Sequence, residues 1–142
     1  MDAQAVAERT RDVMLADDAA SRMLGMQVTE VAPGRAVATM TVRADMLNGF
    51  ALCHGGLIAT LADSAFAFAC NSRNALTVAS GFGIDILKSA KLNDVLTATA
   101  EETSLAGRTG LYDVTVRNQH GELIAMFRGR SYRLGERKVF EA

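Results

Sequence analysis

The sequence predicts an α+β domain in which an antiparallel β-sheet wraps around one long central helix. Three observations predict it. Apolar residues crowd into a central block, Gly55 to about Asn71, that is apolar nearly all round, the pattern of a helix buried on every side. Two alternating runs precede that block and four strand-like runs follow it, separated by turn residues. The length, 142 residues, is one domain's worth and can bury a core without a disulfide or metal staple.

In chain order, the first segment (1–24) is helical. Asp2 to about Leu15 carries Val6, Val13 and Met14 on a weakly apolar face opposite its charges. Asp17 and Asp18 are candidate caps for a short second piece, Ala19–Leu24, which Gly25 stops. The period then changes to two. Met26, Val28 and Glu30 alternate with Gln27, Thr29 and Val31, and Pro33-Gly34 is a turn dipeptide. From Arg35 to Arg43, Ala36, Ala38, Met40 and Val42 face one way, completing a hairpin. Residues 44–54 read as a loop, and the central helix occupies 55–71. Strands are expected at Thr77–Leu87, Val95–Glu102, Gly110–Arg117 and Glu122–Leu134, with turns at Leu92-Asn93-Asp94, Ala106-Gly107-Arg108 and Asn118–Gly121.

Composition excludes several function classes. Hydrophobic residues make up 49% and charged ones 22%, and a net charge of −1 with pI near 6.1 argues against a general nucleic-acid binder. The N-terminus has no hydrophobic signal region, and the densest apolar run carries Asp63 in its middle, so a cytoplasmic, non-membrane protein is expected. Cys53 and Cys70 lack metal-ligand spacing and read as two buried free thiols; no metal is expected.

Within the helix, Asp63 is the one charged side chain, and Ala59, Thr60, Phe66 and Ala67 are its neighbours on the same face. A buried carboxylate is costly unless bonded or paired. Thr60, Ser64 or an arginine of the sheet could satisfy it, or it could be catalytic. The helix opens with His54-Gly55-Gly56, and two glycines there cost stability, so something needs the backbone bare. A helix N-terminus offers unpaired amides to an anion or a developing oxyanion. Amides that polarise a carbonyl, with a carboxylate to attack it or activate water, point to acyl transfer or hydrolysis. Eight residues of helix rise about 12 Å, too far for Gly55 and Asp63 of one chain to act on the same carbon. They would have to come from two chains whose helices run antiparallel across a two-fold axis.

The stretch Leu47–Ser72, LNGFALCHGGLIATLADSAFAFACNS, resembles the signature of hotdog-fold acyl-CoA thioesterases of the phenylacetic-acid-degradation (PaaI) type. Together with the Ala106–Gly110 turn, the likeness covers nearly the whole chain and implies a single hotdog domain over residues 1–142. The resemblance implies an oxyanion contact at the Gly55 N–H, with Gly56 completing the bare helix start and Asp63 of the facing subunit as the catalytic acid. It implies that Asn48 helps place the thioester or the attacking water, and that His54 shapes the loop more than it moves protons. Ser64 would bond substrate or turn back to the Thr60 carbonyl. Ala79 and Ser80 would lie near the thioester end, and Arg108 would meet a coenzyme A phosphate, with Lys88 and Lys91 as weaker candidates. Phe50, Phe66 and Phe68 would line an acyl pocket or simply be core.

The implied activity is hydrolysis of acyl-CoA, aryl-acyl groups such as phenylacetyl or hydroxyphenylacetyl being favoured, with no cofactor beyond the coenzyme A of the substrate. The implied assembly is at least a homodimer and by family habit a homotetramer. Two other readings stand beside it. One is a non-catalytic acyl-CoA-binding hotdog domain. The other is a hotdog hydratase, which Asp45, Asn48 and His54 imitate without the proline of that motif.

Overall fold

The computed structural model describes residues 1–141. Three α-helices and six strands follow one another as α1 (Ala3–Asp17), α2 (Ala19–Met23), β1 (Gln27–Ala32), β2 (Arg35–Thr41), α3 (Gly55–Cys70), β3 (Thr77–Ile86), β4 (Val95–Ala106), β5 (Thr109–Arg117) and β6 (Leu123–Arg133). The strands form one antiparallel sheet in the order β1-β2-β4-β5-β6-β3, with α3 packed against it. This is the α+β architecture the apolar block and the alternating runs predict.

Register explains how the helix fits. Ala38 pairs with Ala98, which pairs with Val116, and Ala36 with Ala100, which pairs with Val114. All six are fully buried. Alanines on β2 and β4 let α3 approach the sheet closely, while Val114, Tyr112 and Phe127 fill the space over β5 and β6. Phe66 of α3 lies against Tyr112 and Phe127, with ring centroids 5.6 and 5.8 Å away. Its ring occupies the place a side chain at residue 129 would take: a Cβ on Gly129 would fall 2.9 Å from it. Phe68 is therefore core, and Phe66, though buried, also lines a cavity that Asp63 borders.

Several expectations need correction. Met26, Val28 and Glu30 do not share a face. A bulge between Val28 and Glu30 shifts the phase of β1, so Val31 turns inward and Glu30 pairs outward with Arg35. The buried stripe of α1 runs through Ala7 and Thr10 rather than Val6 and Val13. Asp17 is the last residue of α1, and Asp18 alone caps α2, accepting from the Ser21 N–H. β4 continues four residues past Glu102, because its exposed end is held by hairpin pairing with β5 and not by burial. Cys53 is buried but Cys70 only partly so.

The largest correction concerns α3. Its Ile58, Leu61, Ala62, Ala65, Phe66, Phe68 and Ala69 are buried, but Gly56, Thr60, Asp63, Ala67 and Cys70 form a partly open stripe within the single chain. Beside that stripe runs β3, an edge strand paired only with β6, with Val78, Phe82 and Ile86 exposed. Helix face and strand edge together make an uncovered apolar surface.

Candidate active site

The start of α3 is built by the loop before it. Asn48 Oδ1 accepts the Phe50 N–H (2.9 Å) and the Leu52 N–H (3.2 Å), folding residues 48–52 into a tight turn. Asn48 N–H donates to the Leu52 carbonyl, Leu47 bridges to Cys53, and the Cys53 N–H donates to the Ala90 carbonyl. The loop thus delivers His54 to the N-cap of α3 from a fixed direction.

His54 then acts on the backbone. Its Nδ1 accepts the Gly56 N–H at 3.3 Å, which assigns the ring proton to Nε2. With Gly56 taken by His54, and Leu57 and Ile58 donating to the His54 carbonyl, the Gly55 N–H is the amide of this turn with no acceptor among the described residues. The expected oxyanion donor is therefore the free one. The two glycines differ in why they are bare. A Cβ on Gly55 would come 2.8 Å from Ile86 Cδ1, whereas one on Gly56 would meet nothing closer than 3.5 Å, so no atom of its own chain requires Gly56.

Asp63 sits two turns further along. It has no hydrogen bond or salt bridge among the described residues: Thr60 bonds back to the Gly56 carbonyl (2.8 Å), Ser64 turns to Ser21 (2.9 Å), and no arginine pairs with it. Each structural explanation open to the sequence is thereby unmet. Burial first, and then the charge of Asp18, push the Asp63 carboxyl above the ordinary aspartate range. It borders a cavity of about 320 Å³ whose other walls include Ala67, Cys70, Val78 and Ala79. Met14 of α1 and Val139 near the C-terminus also wall it, as do Leu76 and Thr77. The sequence offered little to find these by, since only Met14 stood on a recognisable apolar face.

The remaining candidates lie apart. Ala79 shares the Asp63 cavity, but Ser80 is the extra residue of a bulge in β3, and its hydroxyl donates to the Arg130 carbonyl at 3.2 Å. Lys88 lies close to the start of α3, ion-paired with Glu122. Arg108 lies at the other end of the helix, where it lines a second cavity of about 230 Å³ with Arg73, Arg133, Cys70 and Tyr112. Phe50 is 85% exposed at the loop tip. Cys53 and His54 do not form a nucleophilic pair: Cys53 Sγ contacts the His54 carbonyl, and burial raises its thiol. Burial also pushes the Cys70 thiol up to about 12. Asp45 does not meet His54, being held by Arg43 Nε at 3.0 Å, a bond that lowers its carboxyl below the usual range. Among the described residues no cluster of three His, Cys, Asp or Glu is placed to hold a metal, and no helix is long and apolar enough to cross a membrane.

A free amide at a helix start and an unpaired, desolvated carboxylate can together polarise and cleave an ester-like bond. Comparison with known proteins gives the family. Residues 50–125 match the thioesterase superfamily. The chain is 46% identical over 122 residues to the acyl-coenzyme A thioesterase PaaI of Escherichia coli, covering 86% of this chain and 87% of that protein. It superposes on the structure of the E. coli PaaI protein from the phenylacetic acid degradation operon with a TM-score of 0.94 and 42% identity, over 96% of this chain and 99% of that one. A Streptococcus mutans protein solved with acetyl-CoA bound matches with a TM-score of 0.76 and 29% identity, over 80% of this chain and 91% of that one. The chain therefore belongs to the thioesterase superfamily, with the hotdog fold, and is an enzyme that hydrolyses thioesters.

Proposed function

We propose that the substrate is an acyl-CoA thioester, with aryl-acyl groups of the phenylacetyl and hydroxyphenylacetyl type preferred, and that residues 1–142 act as one thioesterase domain. The observation that carries the reading is Asp63: a desolvated carboxylate with no partner of its own, bordering a largely apolar cavity beside the open face of α3. The names of the E. coli relatives, an acyl-coenzyme A thioesterase and a protein of a phenylacetic acid degradation operon, support the acyl-CoA class and the aryl preference.

The thioester carbonyl accepts from the Gly55 N–H of one subunit, at the positive end of the α3 dipole, and the negative charge that develops on its oxygen is stabilised there. Gly56 keeps the approach clear of side chains, and His54 and Asn48 hold the turn that presents the amide. Asp63 of the facing subunit attacks the carbonyl carbon or takes a proton from the water that does, and the coenzyme A thiolate leaves. Arg108 and Lys88 are candidate partners for coenzyme A phosphates, and Ala79 and Ser80 border the thioester end.

The working unit is at least a dimer. About 12 Å of helix rise separates Gly55 from Asp63 in one chain, so each site needs both subunits. The open stripe of α3 and the unpaired apolar edge of β3 lie side by side, and a second copy related by a two-fold axis would cover both. A tetramer of two such dimers is the further expectation.

The test is a turnover screen by free-thiol release over CoA thioesters from short aliphatic to long-chain and aryl. Turnover is expected to be highest on aryl-acyl thioesters and to fall about 10²–10⁴-fold in Asp63→Ala, the usual contribution of a general base. Near-normal activity in that variant removes the assignment, and no turnover on any thioester would favour an acyl-CoA-binding module. A single turnover in heavy-oxygen water separates the two routes, because label in the Asp63 carboxylate requires covalent attack.

A further inference from the structure

Where α3 ends, a second cavity lies against the one beside Asp63. It holds about 230 Å³, and the two share Cys70 and Thr77 as walls. The register of the sheet brings them together. Thr77 pairs with Arg133 and Ala79 with Ser131, so two strand residues that wall the Asp63 cavity stand opposite two that wall its neighbour.

Arg133 is the unusual member. Its Nε is shut off from solvent and has no hydrogen-bond partner among the described residues. A cationic donor left so is costly, and native proteins answer nearly all such groups. The other two arginines of the cavity differ. Arg73 Nη1 donates to Glu102 Oε2 at 2.7 Å, and Arg108 stands exposed in the turn between β4 and β5. No carboxylate is among the described walls, and Ser131, 1% exposed, lies on the same wall as Arg133. An unanswered buried cation with a hydroxyl residue beside it and no acid is a site for an oxyanion.

Distance decides whose oxyanion. Asp63 and Cys70 are seven residues apart on α3, a rise of about 10 Å. Coenzyme A carries its first phosphate about thirteen bonds from the sulfur, about 16 Å of extended chain. A carboxylate about six bonds from the thioester carbon spans about 8 Å, and a hydrogen bond to the guanidinium makes up the rest.

We propose that the cavity at the end of α3 takes the carboxylate of an acyl group that is itself acidic at its far end, held by Arg133 with Ser131 beside it, so that carboxy-substituted aryl-acyl thioesters are substrates. The assignment rests on the thioesterase reading with Asp63 as the acting carboxylate and narrows its aryl-acyl class. Arg108, in its exposed turn, stays available to coenzyme A. A guanidinium–carboxylate pair is charge-assisted, and shelter from water strengthens it.

The probes are para-carboxyphenylacetyl-CoA and its neutral twin, para-carbamoylphenylacetyl-CoA, with phenylacetyl-CoA as reference, followed by free-thiol release from the full-length enzyme. The native enzyme should favour the carboxylate over the amide at least about tenfold in kcat/KM, chiefly through KM, as one hydrogen bond to a charged group allows. Arg133→Gln should bring that ratio close to one, and Arg133→Lys, which keeps the charge without the fork, should leave it in between. Ser131→Ala, which removes only a hydroxyl, should lower the ratio about threefold, so the assignment stays testable if Arg133→Gln does not fold. Equal turnover of carboxylate and amide by the native enzyme overturns the proposal and leaves the cavity to water, while hydrolysis of phenylacetyl-CoA that is lost in Asp63→Ala keeps the thioesterase reading. An unchanged ratio in folded Arg133→Gln and Ser131→Ala enzymes overturns it too. If kcat/KM falls alike on all three thioesters with the ratio kept, the cavity holds a coenzyme A phosphate and the proposal fails. No turnover of any thioester, or an active Asp63→Ala enzyme, removes the underlying reading and this assignment with it.

Discussion

At the scale of single residues, what distinguishes Asp63 is the company it lacks. The other half-buried carboxylates are answered: Glu102 receives Arg73 and the Tyr112 hydroxyl, and Asp113 receives Arg128 and Thr103. Asp63 is raised instead, so between the ordinary aspartate pKa and the raised one the native state holds more protons than the unfolded state. Stability therefore falls as pH climbs through that window and does not recover above it. Asp63→Asn should raise Tm at neutral pH and lose that advantage at acid pH, below both values, while turnover collapses. Thermal melts across pH 3–8 (roughly the span in which carboxylates titrate) check this, and an unchanged neutral Tm would count against the desolvation account. The charge of Asp63 amid apolar residues was legible in the sequence. Its isolation was not, because that depends on Thr60 and Ser64 bonding elsewhere, and Ser64 does so with a residue 43 positions away.

At the scale of elements, the fold was readable where one side of a segment is buried and obscure where it is not. The alternation of β2 gave its inward face directly, since Ala36, Ala38 and Met40 are all buried. β1 misled because its bulge inserts a residue that periodicity cannot show, and the end of β4 was missed because it is exposed. Packing of α3 makes a sharp prediction at Gly129. Gly129→Ala places a methyl group 2.9 Å from the Phe66 ring and should cost about 1–3 kcal/mol, read as a lower urea midpoint with unchanged slope. The loop before α3 yields another. Asn48→Ala removes two hydrogen bonds that shape the turn, and should lower kcat/KM with a loss of about 1–2 kcal/mol in stability. Asn48 was recognisable in the sequence by resemblance, but its two backbone bonds appear only in the folded loop.

At the scale of the whole molecule, the central apolar block is not all core: in the single chain the stripe of α3 beside the β3 edge stays partly open. On the proposed two-fold dimer, Val78→Lys with Ile86→Lys on that edge should shift the protein toward monomer in sedimentation, with activity falling in step with the dimer fraction. A fully active monomer would refute the two-chain site.

Segments near both ends of the chain meet at the cavity beside Asp63. Met14 from the first helix and Val139 from the last few residues wall the cavity beside Asp63, yet neither belongs to the sheet. The dimensions of that cavity are thus set partly by segments outside the sheet, while the residues proposed for the chemistry belong to the helix and its loop. Under the proposed function, bulkier or slimmer side chains at Met14 and Val139 should retune acyl-chain preference without recutting the scaffold that holds the proposed reacting groups.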